Sequence, residues 1–215
     1  MSGKDTMPSV AIAVDFDGTI TERDLLDEIA HAFGDPEVYR QVDEGLHQGT
    51  ITLQECIARE FEPVRASLSE VVSYVLARAR LRPGLRELVD LAKERGWPLV
   101  VLSSGFRELI EPVLAREGIE AEIRANSVDP SPRGWRVRWR DGRRCPACGE
   151  ACKRGSLPRA TTVIYVGDGI SDRCAALACQ RVFATRGLAR YLDQRGVPYE
   201  PFADFHDIVA AIRRE

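Results

Sequence analysis

Five consecutive apolar residues, Val10 to Val14 (VAIAV), limit the possible folds of this chain more than any other stretch. A strand with one wet face alternates polar and apolar side chains, whereas an unbroken apolar run needs cover on both faces. Such strands sit at the centre of a parallel sheet flanked by helices. Leu99 to Leu102 (LVVL) and Val163 to Val166 (VIYV) repeat the pattern, and Val182 to Ala184 (VFA) is a shorter example. Helical stretches separate them. Leu85 to Arg95 sets Leu85, Leu88, Val89 and Ala92 at helical spacing, opened by Pro83-Gly84 and closed by Gly96. Leu109 to Arg116 and Ala175 to Ala178 read the same way. The expected fold is α/β, with a Rossmann-like, mainly parallel sheet.

Two stretches break the alternation. Thr21 to Leu81 has no strand pattern but recurrent helical periodicity, with capping boxes at Thr52/Glu55 and Ser67/Glu70. The expectation is a catalytic α/β core over 1–20 and 82–215, with a small helical cap over 21–81 lying above the C-terminal end of the first strand. The second break spans Ile123 to Lys153. There, the alternation of Trp135 to Trp139 followed by Asp141-Gly142 suggests a β-hairpin flap.

A length of 215 residues with 44% apolar side chains suits one domain carrying an insertion. No apolar run approaches the ~20 residues of a membrane span, and the first residues lack a signal-peptide pattern, so a cytoplasmic protein is expected. Thirty basic against 33 acidic side chains give a net charge of −3, which argues against nucleic-acid or anionic-membrane partners. Arg133, Arg136, Arg138, Arg140, Arg143 and Arg144 cluster locally and are read as a solvated hairpin face.

Chemistry concentrates where the strands end. Asp15-Phe16-Asp17-Gly18-Thr19 follows VAIAV directly, and ligands of α/β sheets bind beyond the carboxyl ends of strands. Two carboxylates one residue apart can enter one pocket, where their repulsion calls for a cation or a shared proton. Ser103-Ser104-Gly105 follows the second apolar strand, offering a hydroxyl and backbone N–H groups to phosphate oxygens. Gly167-Asp168-Gly169-Ile170-Ser171-Asp172 follows VIYV, and Lys153 lies between these stretches as a counter-charge.

In these four segments the sequence resembles the haloacid dehalogenase superfamily of phosphohydrolases. DFDGT resembles its first motif, the Ser of LSSGF its second, Lys153 its third and GDGISD its fourth. The resemblance implies that Asp15 is a nucleophile and Asp17 a general acid/base. It also implies Mg²⁺ held by the Asp15 carboxylate, the Asp17 backbone carbonyl and Asp168, with Asp172 in support. Ser103, Ser104 and Lys153 would bind the phosphate of a small phosphorylated metabolite. The helical insert resembles the phosphoserine phosphatase branch. Asp24, nine residues after Asp15, and the hairpin before a cysteine-rich stretch ending in Cys-Lys resemble the methionine-salvage enol-phosphate phosphatases and their relatives. Asp24 is read either as a substrate contact or as the cap of the first inserted helix. A phosphoserine phosphatase, a phosphomutase and a silent metal-binding regulatory protein are the alternatives.

Cys145, Cys148 and Cys152 resemble half of a zinc site. With three ligands named, reduced thiols are the favoured reading. A structural Zn²⁺ is the alternative, its fourth ligand drawn from Asp141, Glu150 or water. Cys56, Cys174 and Cys179 are assigned to helix packing.

Overall fold

The computed structural model describes residues 7–140 and 142–214. The VAIAV run forms β1 (Val10–Val14), hydrogen-bonded on one side to β2 (Leu99–Phe106) and on the other to β5 (Thr162–Gly167), both parallel. The seven strands run in the order β4-β3-β2-β1-β5-β6-β7, with β3 (Glu122–Asp129), β4 (Arg136–Arg138), β6 (Arg181–Ala184) and β7 (Glu200–Pro201) completing the sheet. Only β4 is antiparallel. The central position explains the missing polar residues of β1. Ile12 and Val14 face one apolar core, shared with Val101, Ile164 and Val166, while Ala13 faces a second, shared with Leu102, Val163 and Tyr165. Each large aliphatic side chain so enclosed contributes about 1.5–3 kcal/mol.

Helices α5 (Leu85–Glu94), α6 (Arg107–Arg116), α7 (Arg173–Ala176) and α8 (Arg186–Arg195) connect the strands, and α9 (Phe205–Arg213) follows the last of them. Between β1 and α5 lie four more: α1 (Leu25–Phe33), α2 (Pro36–Gln48), α3 (Leu53–Phe61) and α4 (Leu68–Arg78). Both expected capping boxes form, Thr52 with Glu55 and Ser67 with Glu70. The two ends of this helical segment run side by side. Thr21 bridges Leu81, the Glu22 N–H donates to the Arg80 carbonyl at 2.9 Å, and the Arg82 N–H donates to the Ile20 carbonyl at 2.8 Å.

The hairpin differs from expectation. Residues 136–138 pair with the preceding chain, Ser127 opposite Arg138 and Asp129 opposite Arg136, and β3 is itself a strand of the main sheet. The turn therefore precedes Trp135, and Asp141 of the expected turn lies outside the described residues. Trp135 is buried and donates its Nε1–H to the Ala66 carbonyl at 2.9 Å, fastening the hairpin to the inserted helices. Of the clustered arginines, Arg138 pairs with Asp129 on an exposed face. Arg140 turns inward and donates to the carbonyls of Ser103 (2.9 Å) and Arg124 (3.1 Å).

Candidate active site

The chain leaves β1 extended at Asp15 and then folds back through 16–20. Gly18 makes that turn possible. Its φ of +76° suits glycine, and a Cβ there would lie 2.4 Å from Asp168 Oδ2. Asp15 is buried. Its Oδ1 accepts from Lys153 Nζ, and its Oδ2 lies 3.1 Å from Thr19 Oγ1. The same hydroxyl lies 3.2 Å from Asp168 Oδ1, so one proton serves two carboxylates.

Lys153 is 1% exposed and also donates to Asp172 Oδ1 at 2.7 Å. Asp172 is fully enclosed. Tyr165 donates its hydroxyl to Oδ1 at 2.7 Å, and the N–H groups of Asp168 and Gly169 donate to Oδ2 at 3.0 and 2.9 Å. Four donors fill the roughly four acceptor sites of this carboxylate. Asp172 therefore fixes the loop after β5 and the ammonium of Lys153. One carboxylate oxygen from each of Asp15, Asp168 and Asp172 falls within a common 4.8 Å.

Asp17 lies beside this group. Its Oδ1 accepts from the N–H of Leu25 at 3.3 Å, and its Oδ2 lies 3.4 Å from the hydroxyl of buried Ser103. The Ser103 Oγ accepts from the Gly105 N–H at 2.8 Å. Ser104 is half-buried, and its carbonyl accepts from Asn126 Nδ2 at 2.7 Å. Asp24 is the N-cap of α1 and accepts from the Asp27 N–H at 3.1 Å. It stands near enough to Asp17 that their charges repel. Ser104 and Lys153 face a cleft of about 970 Å³ whose other wall comes from the inserted helices through Leu46, Ile51, Leu53 and Ile57.

Electrostatics follow from this crowding. Burial, then the charges of Asp172 and Asp168, hold the Asp15 carboxyl well above the ordinary range, against the pull of Lys153. Burial and then Asp24 raise Asp17. Burial and Asp172 push Asp168 up to about 6, with Arg186 opposing, and burial and Asp27 push Asp24 up to about 6. Desolvation works against the Lys153 ammonium, but Asp15 and Asp172 more than compensate and hold it above the usual lysine value. The pocket holds more negative charge than one ammonium balances, which is the condition for taking up a cation.

Sequence reasoning missed several members of the site. Arg82 donates to the carbonyls of Thr19 (3.0 Å) and Gly18 (2.8 Å), and Arg186 donates to the Glu22 carbonyl (2.7 Å) and approaches Asp168 Oδ2 at 3.4 Å. Thr19 was visible as the last letter of DFDGT, and Tyr165 as the one polar atom in an apolar strand. The cysteine assignment needs correcting. Cys174 does not serve helix packing; its sulfur joins those of Cys145, Cys148 and Cys152, with one another's Sγ atoms all within 4.8 Å. Glu150 offers its main-chain carbonyl to this loop, accepting from the Cys145 N–H at 2.8 Å.

A parallel α/β sheet with carboxylates and a buried ammonium gathered at its strand ends defines a Rossmann-like hydrolase of anionic esters. The chain belongs to the haloacid dehalogenase-like hydrolase family, whose profile it matches over residues 12–177. It is 35% identical over 210 residues to the 2-hydroxy-3-keto-5-methylthiopentenyl-1-phosphate phosphatase of Geobacillus kaustophilus, covering 93% of this chain and 94% of the relative. It is 28% identical over 227 residues to a polyol phosphate phosphatase of Saccharomyces cerevisiae, covering 97% and 94%. Its fold is similar to that of a solved structure described as a phospho-aspartyl intermediate analogue of phosphoserine phosphatase, with a TM-score of 0.71, 17% identity, and 96% and 99% of the two chains covered. The chain is a phosphoric monoester hydrolase. No helix among the described residues is long and apolar enough to cross a membrane.

Proposed function

We propose that this protein hydrolyses a small phosphate monoester with Mg²⁺, Asp15 attacking phosphorus and Asp17 acting first as general acid and then as general base. The observation that carries this reading is the enclosed pairing of Asp15 with Lys153 at the end of β1. An ammonium has three donors. Two of them point at Asp15 and Asp172, which leaves the third for a phosphate oxygen.

The carboxylates fit Mg²⁺. The donor set is all oxygen, as a hard cation requires, and it is crowded enough that burial and mutual repulsion raise the affinity of Asp15 and Asp168 for protons. Asp15, Asp168 and the backbone carbonyl of Asp17 would hold the ion. Asp172, already saturated with donors, would position rather than ligate. Bound there, the ion supplies positive charge against the phosphate dianion.

The remaining work falls to the chain. Phosphate monoester hydrolysis calls for accelerations up to ~10²¹, or roughly 28 kcal/mol. Asp15 divides the reaction in two by forming the Asp15–phosphorus bond as the ester oxygen leaves. Asp17 gives its proton to that oxygen, a role suited to a carboxyl whose proton affinity is raised by burial. It then takes a proton from the water that frees phosphate from Asp15. Lys153 and the Ser103 hydroxyl orient the transferred oxygens. Residues 21–81 act as the cap that shuts water out during the first half-reaction.

The cleft carries an apolar patch of Leu46, Ile51, Leu53 and Ile57 beside charged groups such as Arg140, Glu150 and Arg154, and the patch suits a substrate with an apolar tail. A methylthiopentenyl phosphate, the ester named in the relatives, has that character. The test is phosphate release across a panel containing that enol phosphate, phosphoserine and polyol phosphates, with and without Mg²⁺. It is paired with acid quench of Asp17→Asn turning over labelled nitrophenyl phosphate. Label on Asp15 and the highest kcat/KM on the enol phosphate are expected. More than a few per cent of wild-type kcat in Asp15→Asn would refute the nucleophile, and preference for phosphoserine would refute the substrate.

A further inference from the structure

Three cysteines lie in a loop with no regular structure, 142–152, and the fourth lies on α7. The N–H groups of Ala147 and Cys148 point at the Cys145 sulfur. The N–H of Arg154 likewise points at the Cys152 sulfur. Gly149, at φ +78°, closes the Cys145-Pro-Ala-Cys148 turn, its N–H donating to the Cys145 carbonyl at 2.8 Å. The turn thus aims main-chain donors at the sulfurs of the cluster.

Cys145 Sγ and Cys174 Sγ are 3.8 Å apart. A disulfide would bring them to about 2.05 Å. A tetrahedron of thiolates about 2.3 Å from a zinc ion has edges of about 3.8 Å. We propose that Cys145, Cys148, Cys152 and Cys174 form a structural Zn²⁺ site, separate from the carboxylate pocket, that clamps the loop before Lys153 to the helix after Asp172. Four soft sulfur ligands in tetrahedral reach select zinc over magnesium or calcium, and no coordination position remains for substrate, the mark of a structural site.

Placement gives the clamp its purpose. Cys152 directly precedes Lys153, and Cys174 follows Asp172 by two residues. One ion would therefore join the two segments whose side chains meet in the Lys153–Asp172 pair. Between 142 and 150, every described residue but Cys145 is exposed, so apolar packing contributes little to holding this loop.

The test is elemental analysis of the full chain, expressed in zinc-supplemented medium and purified without chelator. About one zinc per chain is expected. Asp168→Asn should keep it, which locates the metal away from the carboxylates. Cys174→Ser should lose it, and Cys179→Ser, outside the cluster, should retain it. Should Cys174→Ser fail to fold, titration of the wild-type protein with a mercurial reagent decides the matter, since one zinc should leave as four thiols react together. Zinc removal should also speed proteolytic cleavage within 142–152 while the sheet stays folded. Zinc near zero, iron in its place, intact-mass detection of disulfides among these cysteines, unchanged zinc in Cys174→Ser, or an unchanged cleavage rate would each overturn the proposal.

Discussion

Replacing Lys153 with Met keeps the length of the side chain and removes its charge, so it isolates what the ammonium does for the fold. In the native protein Nζ is 1% exposed on the side chain and is shared between Asp15 and Asp172. Removing one partner of a buried ion pair costs about 3–5 kcal/mol, because the other charge stays behind uncompensated. For a chain of 215 residues, each kcal/mol moves Tm by about 2–4 °C, which gives a loss of roughly 6–20 °C. The loss must depend on pH. Burial already raises the Asp15 carboxyl, and without the opposing pull of Lys153 it rises further. A carboxyl raised in the folded state stabilises when protonated, an effect lost as pH rises through the folded value. Lys153→Met should therefore melt much lower than wild type at pH 8.5 and approach it at pH 5.5, with saturating Mg²⁺ recovering part of the difference. The assay is thermal unfolding by circular dichroism in chelator and in Mg²⁺ at both pH values. A loss under about 2 °C, or one indifferent to pH, would refute the assignment of Lys153 as the buried counter-ion.

Glu60→Gln tests a second, half-buried acid. Burial pushes Glu60 up to about 7 from 4.5, although the Cys56 thiol donates to it. The stability this gives is full below pH 4.5 and disappears as pH rises through 7, on the order of 3 kcal/mol. The wild type should therefore lose Tm between pH 5 and 8 more steeply than Glu60→Gln, and parallel melting curves would refute the shift. Gly18→Ala should lower kcat about 10²-fold, because the new methyl displaces Asp168, and should also destabilise by about 1–2 kcal/mol through its φ of +76°; wild-type turnover would contradict that contact. Trp135→Phe strands the Ala66 carbonyl and should lower Tm by roughly 4–8 °C, about 2 kcal/mol, as read by calorimetry.

The interior of the sheet was legible because β1, β2 and β5 are covered on both faces and carry almost no polar residue where they pair. β3, reading Glu-Ile-Arg-Ala-Asn-Ser-Val-Asp, lies near the edge, and its polar side chains concealed it inside what looked like an insertion. α8 buries Leu188 and Leu192 in the core, with Ala189 and Tyr191 packed partly buried beside them, and lacks a side-chain cap, so its period is faint. α9 does have a capping box, Asp204 with Asp207, a signal that was present but unread. Asp15 and Asp168 stood out because each follows a strand directly, and Asp17 because it lies two residues after Asp15; Ser103, expected just past its strand, lies inside β2, which runs on to Phe106. Cys174 could not be joined to Cys145 from the sequence, since the two are 29 positions apart and are brought together by β5 and its loop. Arg82 and Arg186 were equally hidden, as both reach the site through main-chain carbonyls that carry no sequence signature.

The paired strands of chain at 20–22 and 80–82 form a narrow neck under the four inserted helices. Arg82 lies in that neck and grips the carbonyls of Gly18 and Thr19, while Arg186 ties Glu22 to Gly18 from the other side. A rotation of the helices about the neck therefore cannot leave the Asp17–Thr19 turn undisturbed. It drags the peptide groups between the two aspartates and, through the Thr19 hydroxyl, the oxygens of Asp15 and Asp168. If the inserted helices move as the proposed cap, opening the cleft and disarming the carboxylates would be one mechanical event, and water entering then would meet a site already out of alignment.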